Sequence, residues 1–366
     1  MVSDPSKPSP KPQTTPAATV EASSLPFLQR MSRQSLTWAI GAAFETSAKI
    51  GNLLPLANPE RYGVSVTRDI PYTDQQDTDH LLDIYRPLDA QEPLPVVLYI
   101  HGGGFRILSK DTHWLMAIEF ARRGYVVCTV NYRLAPAHPF PAAAEDVCDA
   151  WRWMLDHVAA YGGDPDRAVV SGESAGANLC TVVAVAACIR RAEPWARAVF
   201  ERGVVPKAVI PFCGILQVTD PRRFERMGLS SRLTQPVIDS CFANYMVGDP
   251  SIDVTGPSDA SEHPELADPL CVIEQTVPDR AFPPFYIPCG TADPLIDDSR
   301  RLGAALRAQG GIALESEFEG QGHAFQAWLM KKSARLCWSE VHAFLDAHVG
   351  EPAAEAPAVH TSSQPS

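Results

Sequence analysis

The run Val96-Val97-Leu98-Tyr99-Ile100 offers no polar face. A strand of that composition has to be covered on both sides, which places it inside a sheet with helices above and below. Seven more β-branched or aromatic runs accompany it, at 63–68, 81–85, 125–131, 168–171, 208–213, 285–289 and 314–318. Helix-like stretches fall between them, around 112–123, 141–159, 176–191, 298–309 and 324–347. Strands alternating with helices predict an α/β domain built on a mostly parallel sheet flanked by helices. A chain of 366 residues with 45% apolar content can bury one large core of this kind.

Two stretches break the alternation, 25–60 and 216–270, the second rich in Arg, Asp, Pro and Ser. Interruptions of that length without a strand pattern read as a lid or cap, or else as a surface insertion without a role. Residues 1–24 and 351–366 are Pro-, Ser- and Ala-rich and hold too little apolar surface to offset the entropy of ordering, so both are expected to be disordered tails. The expected layout is therefore a domain over 25–350 with cap segments at about 25–60 and 216–270. Residues 1–24 have no apolar h-region of a signal peptide. The apolar run at 36–44 falls short of the ~20 residues a membrane span needs and reads as an amphipathic helix, so membrane association is not expected. A net charge of -12 argues against nucleic-acid and anionic-membrane partners. The nine cysteines form no C-x-x-C pair, and most sit in apolar stretches, where they read as buried hydrophobes. An odd count without regular spacing fits a reducing compartment, hence a cytoplasmic location, and no metal or cofactor is expected.

Chemistry enters at Gly172-Glu173-Ser174-Ala175-Gly176. A lone G-x-S-x-G is weak evidence in a chain with 23 glycines, but here a buried strand, 168–171, runs into it and a helix rich in Ala, Val and Cys leaves it. That strand–turn–helix context is what an exposed nucleophilic serine requires. Ser174 is the candidate nucleophile. A second glycine run, His101-Gly102-Gly103-Gly104-Phe105, follows directly on the strand ending at Ile100. Its backbone N–H groups are unshielded and suit an oxygen that develops negative charge, so Gly103 and Gly104, with Ala175 after the serine, are the candidate oxyanion-hole donors. A phosphate-cradling loop is the rival reading, but neither phosphate-loop framework accompanies the run. His101 reads as a residue that ties the loop down rather than one that moves a proton.

A serine hydroxyl needs a base, and the base needs a carboxylate to fix its tautomer, here in the order Ser, acid, His. His323 lies in the loop Glu319-Gly320-Gln321-Gly322-His323 between a strand and a helix and is the candidate base. His342 and His348, on or after the last helix, read as solvated or packing residues, and His263 lies in the insertion. Asp293 stands just past the seventh strand, where an open α/β sheet gathers its site, and is the candidate acid. Asp297 and Asp298 suit a helix N-cap and first turn.

Taken in order, these motifs resemble the hormone-sensitive lipase family of α/β-hydrolases, the HGGG esterases that include arylacetamide deacetylase. The matches are His101 to Phe105, Asn131-Tyr132-Arg133-Leu134-Ala135-Pro136 with His138-Pro139-Phe140-Pro141-Ala142, Glu145-Asp146, the Ser174 turn, Asp293-Pro294-Leu295 and Gly322-His323-Ala324-Phe325. They span about 62–347. The resemblance implies an α/β-hydrolase fold with an eight-stranded sheet and a helical cap. It implies a Ser174–Asp293–His323 triad without metal or cofactor, acting on short- to medium-chain carboxylic esters as small-molecule substrates. The family usually has Asp before the serine and Gly-Asn after the second glycine, where this chain has Glu173 and Ala177-Asn178; Ala137 replaces a usual acidic residue. The same triad could serve amide or lactone hydrolysis or acyl transfer. A ligand-binding receptor on this fold has lost its histidine, which this chain keeps. Oligomeric state has no signature in the sequence.

Overall fold

The computed structural model describes residues 58–75, 77–231, 234–248 and 265–350. Eight strands form one sheet: β1 Val64–Pro71, β2 Leu81–Pro87, β3 Leu94–Ile100, β4 Val126–Val130, β5 Gly163–Glu173, β6 Val209–Phe212, β7 Phe285–Gly290 and β8 Ala313–Phe318. Their spatial order is β1-β2-β4-β3-β5-β6-β7-β8. β2 runs antiparallel to both β1 and β4, and the remaining pairs are parallel. Each strand run of the sequence is present as a strand, and the fold is that of an α/β-hydrolase.

Every residue of β3 is buried. The period-2 alternation of a strand divides them between two cores. Val96, Leu98 and Ile100 pack with α2 (Ala142–His157) and α3 (Ala175–Cys188) on one face. Val97 and Tyr99 pack with α1 (Trp114–Arg122) and the C-terminal helix Lys332–Val349 on the other. The apolar run thus does on both faces what its composition requires.

Sequence and structure part at prolines. Helices α4 (Pro194–Arg202), α6 (Gln235–Val247) and α7 (Pro269–Gln275) were not evident from pattern, and each has proline in its first turn. Proline is tolerated there because an N–H at that position has no intrahelical acceptor; read along the sequence, the same residue looks like a breaker. The stretch 324–347 also divides. Ala324 adopts a left-handed conformation (φ 54°), a 3₁₀ turn covers Phe325–Ala327, and α9 spans only Lys332–Val349. Between them in chain order lie α5 (Arg223–Arg226) and α8 (Ile296–Ala308). The expected tails and the 25–57 part of the proposed cap lie outside the described residues, as do 232–233 and 249–264 of the insertion.

Asp298 lies in the first turn of α8, as its position suggests, and has a second role there. It is fully buried in α8, accepts hydrogen bonds from Leu216 N at 2.8 Å and Gln217 N at 3.3 Å, and meets the Arg223 guanidinium at 2.6 and 2.7 Å. The pair fastens the start of the insertion to α8. Removing one partner strands the other charge without compensation. Arg223→Ala should therefore cost about 3–5 kcal/mol in urea unfolding. Replacing Arg223 and Asp298 together with apolar residues should cost less than that single change.

Candidate functional site

β5 ends at Glu173 and α3 begins at Ala175, so Ser174 alone makes the turn between them. Its backbone sits at φ 55°, ψ −112°, a conformation that costs a side-chain-bearing residue on the order of 1–3 kcal/mol. The turn is locked from two sides. A Cβ on Gly176 would lie 2.1 Å from Ile100 O, and one on Gly172 would lie 2.4 Å from Gly176 O. Ser174 N donates to Phe212 O at 2.9 Å, and Ile215 N donates to Ser174 O at 3.2 Å. Asn178, one turn along α3, donates to Ile215 O and Ala267 O at 2.9 and 3.1 Å.

The glycine loop leaves β3 beside this turn. Gly103 and Gly104 have φ of 111° and 60°, and a Cβ on Gly103 would lie 2.0 Å from Ile107 O. Ala175 is the first residue of α3, where an N–H finds no acceptor within its own helix. His101 is buried, and its Nδ1 lies 2.7 Å from Gly102 O. Its ring stacks on Tyr132 at 4.3 Å, and Tyr132 Oη donates to His101 O at 2.9 Å. Burial, with the nearby His113, pushes its pKa down to about 3, so the ring is neutral at physiological pH.

Asp293 and His323, thirty residues apart, meet at 2.8 Å between Oδ2 and Nδ1. Asp293 is buried, and its other oxygen accepts from Leu295 N at 2.9 Å. The His323 side chain is 41% exposed. Partial burial of the ring opposes the imidazolium, but the neighbouring Cys213 sulfur and the Asp293 carboxylate outweigh it, and the His323 pKa lies well above the ordinary histidine value. Burial also raises the Cys213 thiol, so Asp293 supplies the standing negative charge. Asp297 is half-buried and Asp298 belongs to the Arg223 pair, so of these three acids only Asp293 holds His323.

The contacts that several residues make around this site were invisible to motif spacing. Glu173 is buried beneath the turn, within 3.1 Å of His113 Nε2, and accepts from Gln326 Nε2 at 2.7 Å. Burial alone would raise its pKa; the hydrogen bond and charge of His113, the charge of His323 and the Gln326 bond hold it below the usual carboxylate range. His113 Nε2 also lies 3.4 Å from Gly102 N, so this carboxylate links the serine turn, the glycine loop and the segment after His323. From the insertion, α6 reaches the glycine loop. Arg106 donates to Ser240 Oγ at 2.8 Å, Phe105 stacks on Tyr245 at 3.7 Å, and a Cβ on Gly104 would lie 2.6 Å from Cys241 Sγ. Cys213, read from sequence as a plain buried hydrophobe, sits at φ 41° with its sulfur within 4.8 Å of ligand atoms of Asp293 and His323. Each partner comes from a distant segment, so only the aromatic and acidic character of the individual residues could have hinted at it.

An eight-stranded sheet of this order, with a strained serine between strand and helix, defines a class of hydrolytic α/β folds. The family model described as alpha/beta hydrolase fold matches residues 97–327, and the chain belongs to that family. Its motifs place it with the hormone-sensitive lipase group that they resemble. The carboxylesterase NlhH of Mycobacterium tuberculosis is 33% identical over 242 residues, which are 66% of this chain and 69% of the relative. A hyperthermophilic esterase from the archaeon Pyrobaculum calidifontis superposes with a TM-score of 0.64 at 25% identity, covering 88% of this chain and 98% of that one. An esterase of the bacterial hormone-sensitive lipase family superposes with a TM-score of 0.65 at 24% identity, covering 86% and 92%, and bears on the fold.

The Asp293 contact predicts a titration. In a Ser174→Ala background, NMR of the His323 ring should give a pKa above the ordinary ~6.5. Asp293→Asn should bring it down, because the charge favouring imidazolium is gone. An unchanged value in Asp293→Asn would remove Asp293 as the source of the shift.

Proposed function

We propose that this chain is a serine carboxylesterase that hydrolyses short- to medium-chain carboxylic esters through an acyl-enzyme. The observation that carries the reading is the buried Asp293 held at 2.8 Å from His323, at the same sheet rim as the strained Ser174 turn and the glycine loop. The names of its relatives, carboxylesterase and esterase, point the same way. In the proposed reaction neutral His323, oriented by Asp293, takes the Ser174 proton as the oxygen attacks the ester carbonyl. The N–H groups of Gly103, Gly104 and Ala175 hold the oxyanion. Alcohol leaves, and water, activated by the same histidine, releases the acid. His101, buried and neutral, holds the glycine loop by stacking on Tyr132.

The preference for short acyl groups is supported by α6. Its Cys241 and Tyr245 press on Gly104 and Phe105, so bulk stands close to where the carbonyl would bind. The insertion would then act as the cap. The nine free cysteines fit a reducing, cytoplasmic setting. Among the described residues no helix is long and apolar enough to cross a membrane.

Ser174→Ala should lower nitrophenyl acetate hydrolysis by roughly 10⁴-fold or more while the protein stays folded. Retained full activity in the folded variant would overturn the assignment. Across nitrophenyl esters from acetate to palmitate, activity should peak at the short end and exceed that on the matching anilide. Because His323 must be neutral to act and its pKa is raised, kcat/KM should fall as pH drops through an apparent pKa at or above about 6.5. A rate that stays flat down to pH ~4 would exclude His323 as the base.

A further inference from the structure

Cys213 Sγ, an Asp293 carboxylate oxygen and a His323 ring nitrogen lie within 4.8 Å of one another. They arrive from three segments: the residue after β6, the loop after β7 and the loop after β8. One thiol, one imidazole and one carboxylate form the mixed soft and borderline donor set that selects zinc over calcium or magnesium. Donors bound to one tetrahedral zinc, at bond lengths of about 2.3 Å to sulfur and 2.0–2.2 Å to nitrogen and oxygen, lie roughly 3.3–3.7 Å apart. The Asp293–His323 pair, now at 2.8 Å, therefore has to open slightly to admit the ion, with the sulfur, within 4.8 Å, drawing in. His323 can supply the movement: its loop carries Gly320 at φ 67°, and nothing lies within 4 Å of a Cβ placed on Gly320 or Gly322. Its partly exposed side chain also gives the ion a route to the two buried donors.

We infer that Cys213, Asp293 and His323 form an inhibitory zinc site superimposed on the proposed acid–base pair. Zinc enters as the aqueous ion. The Cys213 thiol gives its proton to solvent as the sulfur–zinc bond forms; the proton of the Asp293–His323 hydrogen bond passes through solvent to His323 Nε2 as Nδ1 and the carboxylate each bond the metal; the ion sheds all its waters but one, which keeps the fourth position. No electrons change hands. Binding withdraws the histidine and its carboxylate from serine activation, so zinc and turnover exclude one another. Ion binding stands independently of the esterase reading; only the inhibition rests on it.

The test uses the full chain and zinc chloride in a non-coordinating buffer. In competition with a chromophoric chelator, the folded Ser174→Ala variant should bind one zinc as tightly as wild type, and Cys213→Ser and His323→Ala should each weaken that binding at least tenfold. Hydrolysis of nitrophenyl acetate should be inhibited reversibly by zinc and restored by EDTA. In Cys213→Ser the inhibitory concentration, compared with that variant's own zinc-free rate, should rise at least tenfold. Cadmium supplies a readout that does not depend on how Cys213→Ser folds. It should produce a thiolate–metal charge-transfer band in wild type, and the band should survive Cys241→Ser and Cys271→Ser. Zinc binding unchanged in folded Cys213→Ser, or a cadmium band lost with Cys241 or Cys271, would overturn the site. Zinc binding without inhibition of an active enzyme would overturn the inhibitory role, whereas absent hydrolysis with intact zinc binding would count against the esterase reading alone.

Discussion

The site depends on one close approach of backbone to backbone. β3 and β5 run side by side, with Ile100 opposite Gly172, and immediately beyond that pair both chains turn sharply. Gly176 comes so near to Ile100 O and His101 O that a single methyl group cannot fit. This contact fixes the start of α3 against the end of β3. The serine turn and the glycine loop are therefore one rigid unit and not two loops that happen to meet. Parallel pairing makes this possible, because it brings the C-terminal ends of neighbouring strands to the same edge of the sheet.

Around that unit the proposed acid–base pair is held by separate means. Asp293 is set by its own turn after β7, and His323 is delivered by a loop rich in glycine after β8. The rigid half would place a nucleophile and a charge-stabilising pocket, and the looser half a ring that has to accept and return a proton. Glu173 joins the two halves, since the residue next to the serine reaches both His113 beneath the glycine loop and Gln326 beyond His323. It occupies the position where the related family usually has the shorter aspartate, and its extra methylene is part of the reach to these partners.

Much of the sheet was legible in the sequence because burial on both faces leaves an unambiguous apolar signature, as in 96–100, and because β–α alternation restricts topology. The glycine runs were legible for a related reason, since special backbone geometry restricts residue choice, and the meeting of Asp293 with His323 was expected from their places after strands. The helices α4, α6 and α7 were hidden by prolines that start them. Asp298 stands in the first helical turn as its position suggests, but its pairing was hidden because Arg223 lies 75 residues away in the chain. Cys213 and Cys241 were hidden because a cysteine in an apolar run looks the same whether it fills a core or faces a polar group. In each case the missing information was a long-range contact, which local pattern does not encode.

The seating of α6 on the glycine loop has a consequence for how such a protein can diversify. A helix that stands clear of the reacting atoms can be redrawn residue by residue to admit new substrates, with rate left alone. Here Ser240, Cys241 and Tyr245 contact Arg106, Gly104 and Phe105 directly, so a substitution that reshapes the proposed binding wall would also shift the backbone next to the proposed oxygen-binding groups. On the proposed function, substrate range and turnover would be inherited together, and lineages exploring new esters would be expected to change both sides of this contact in step.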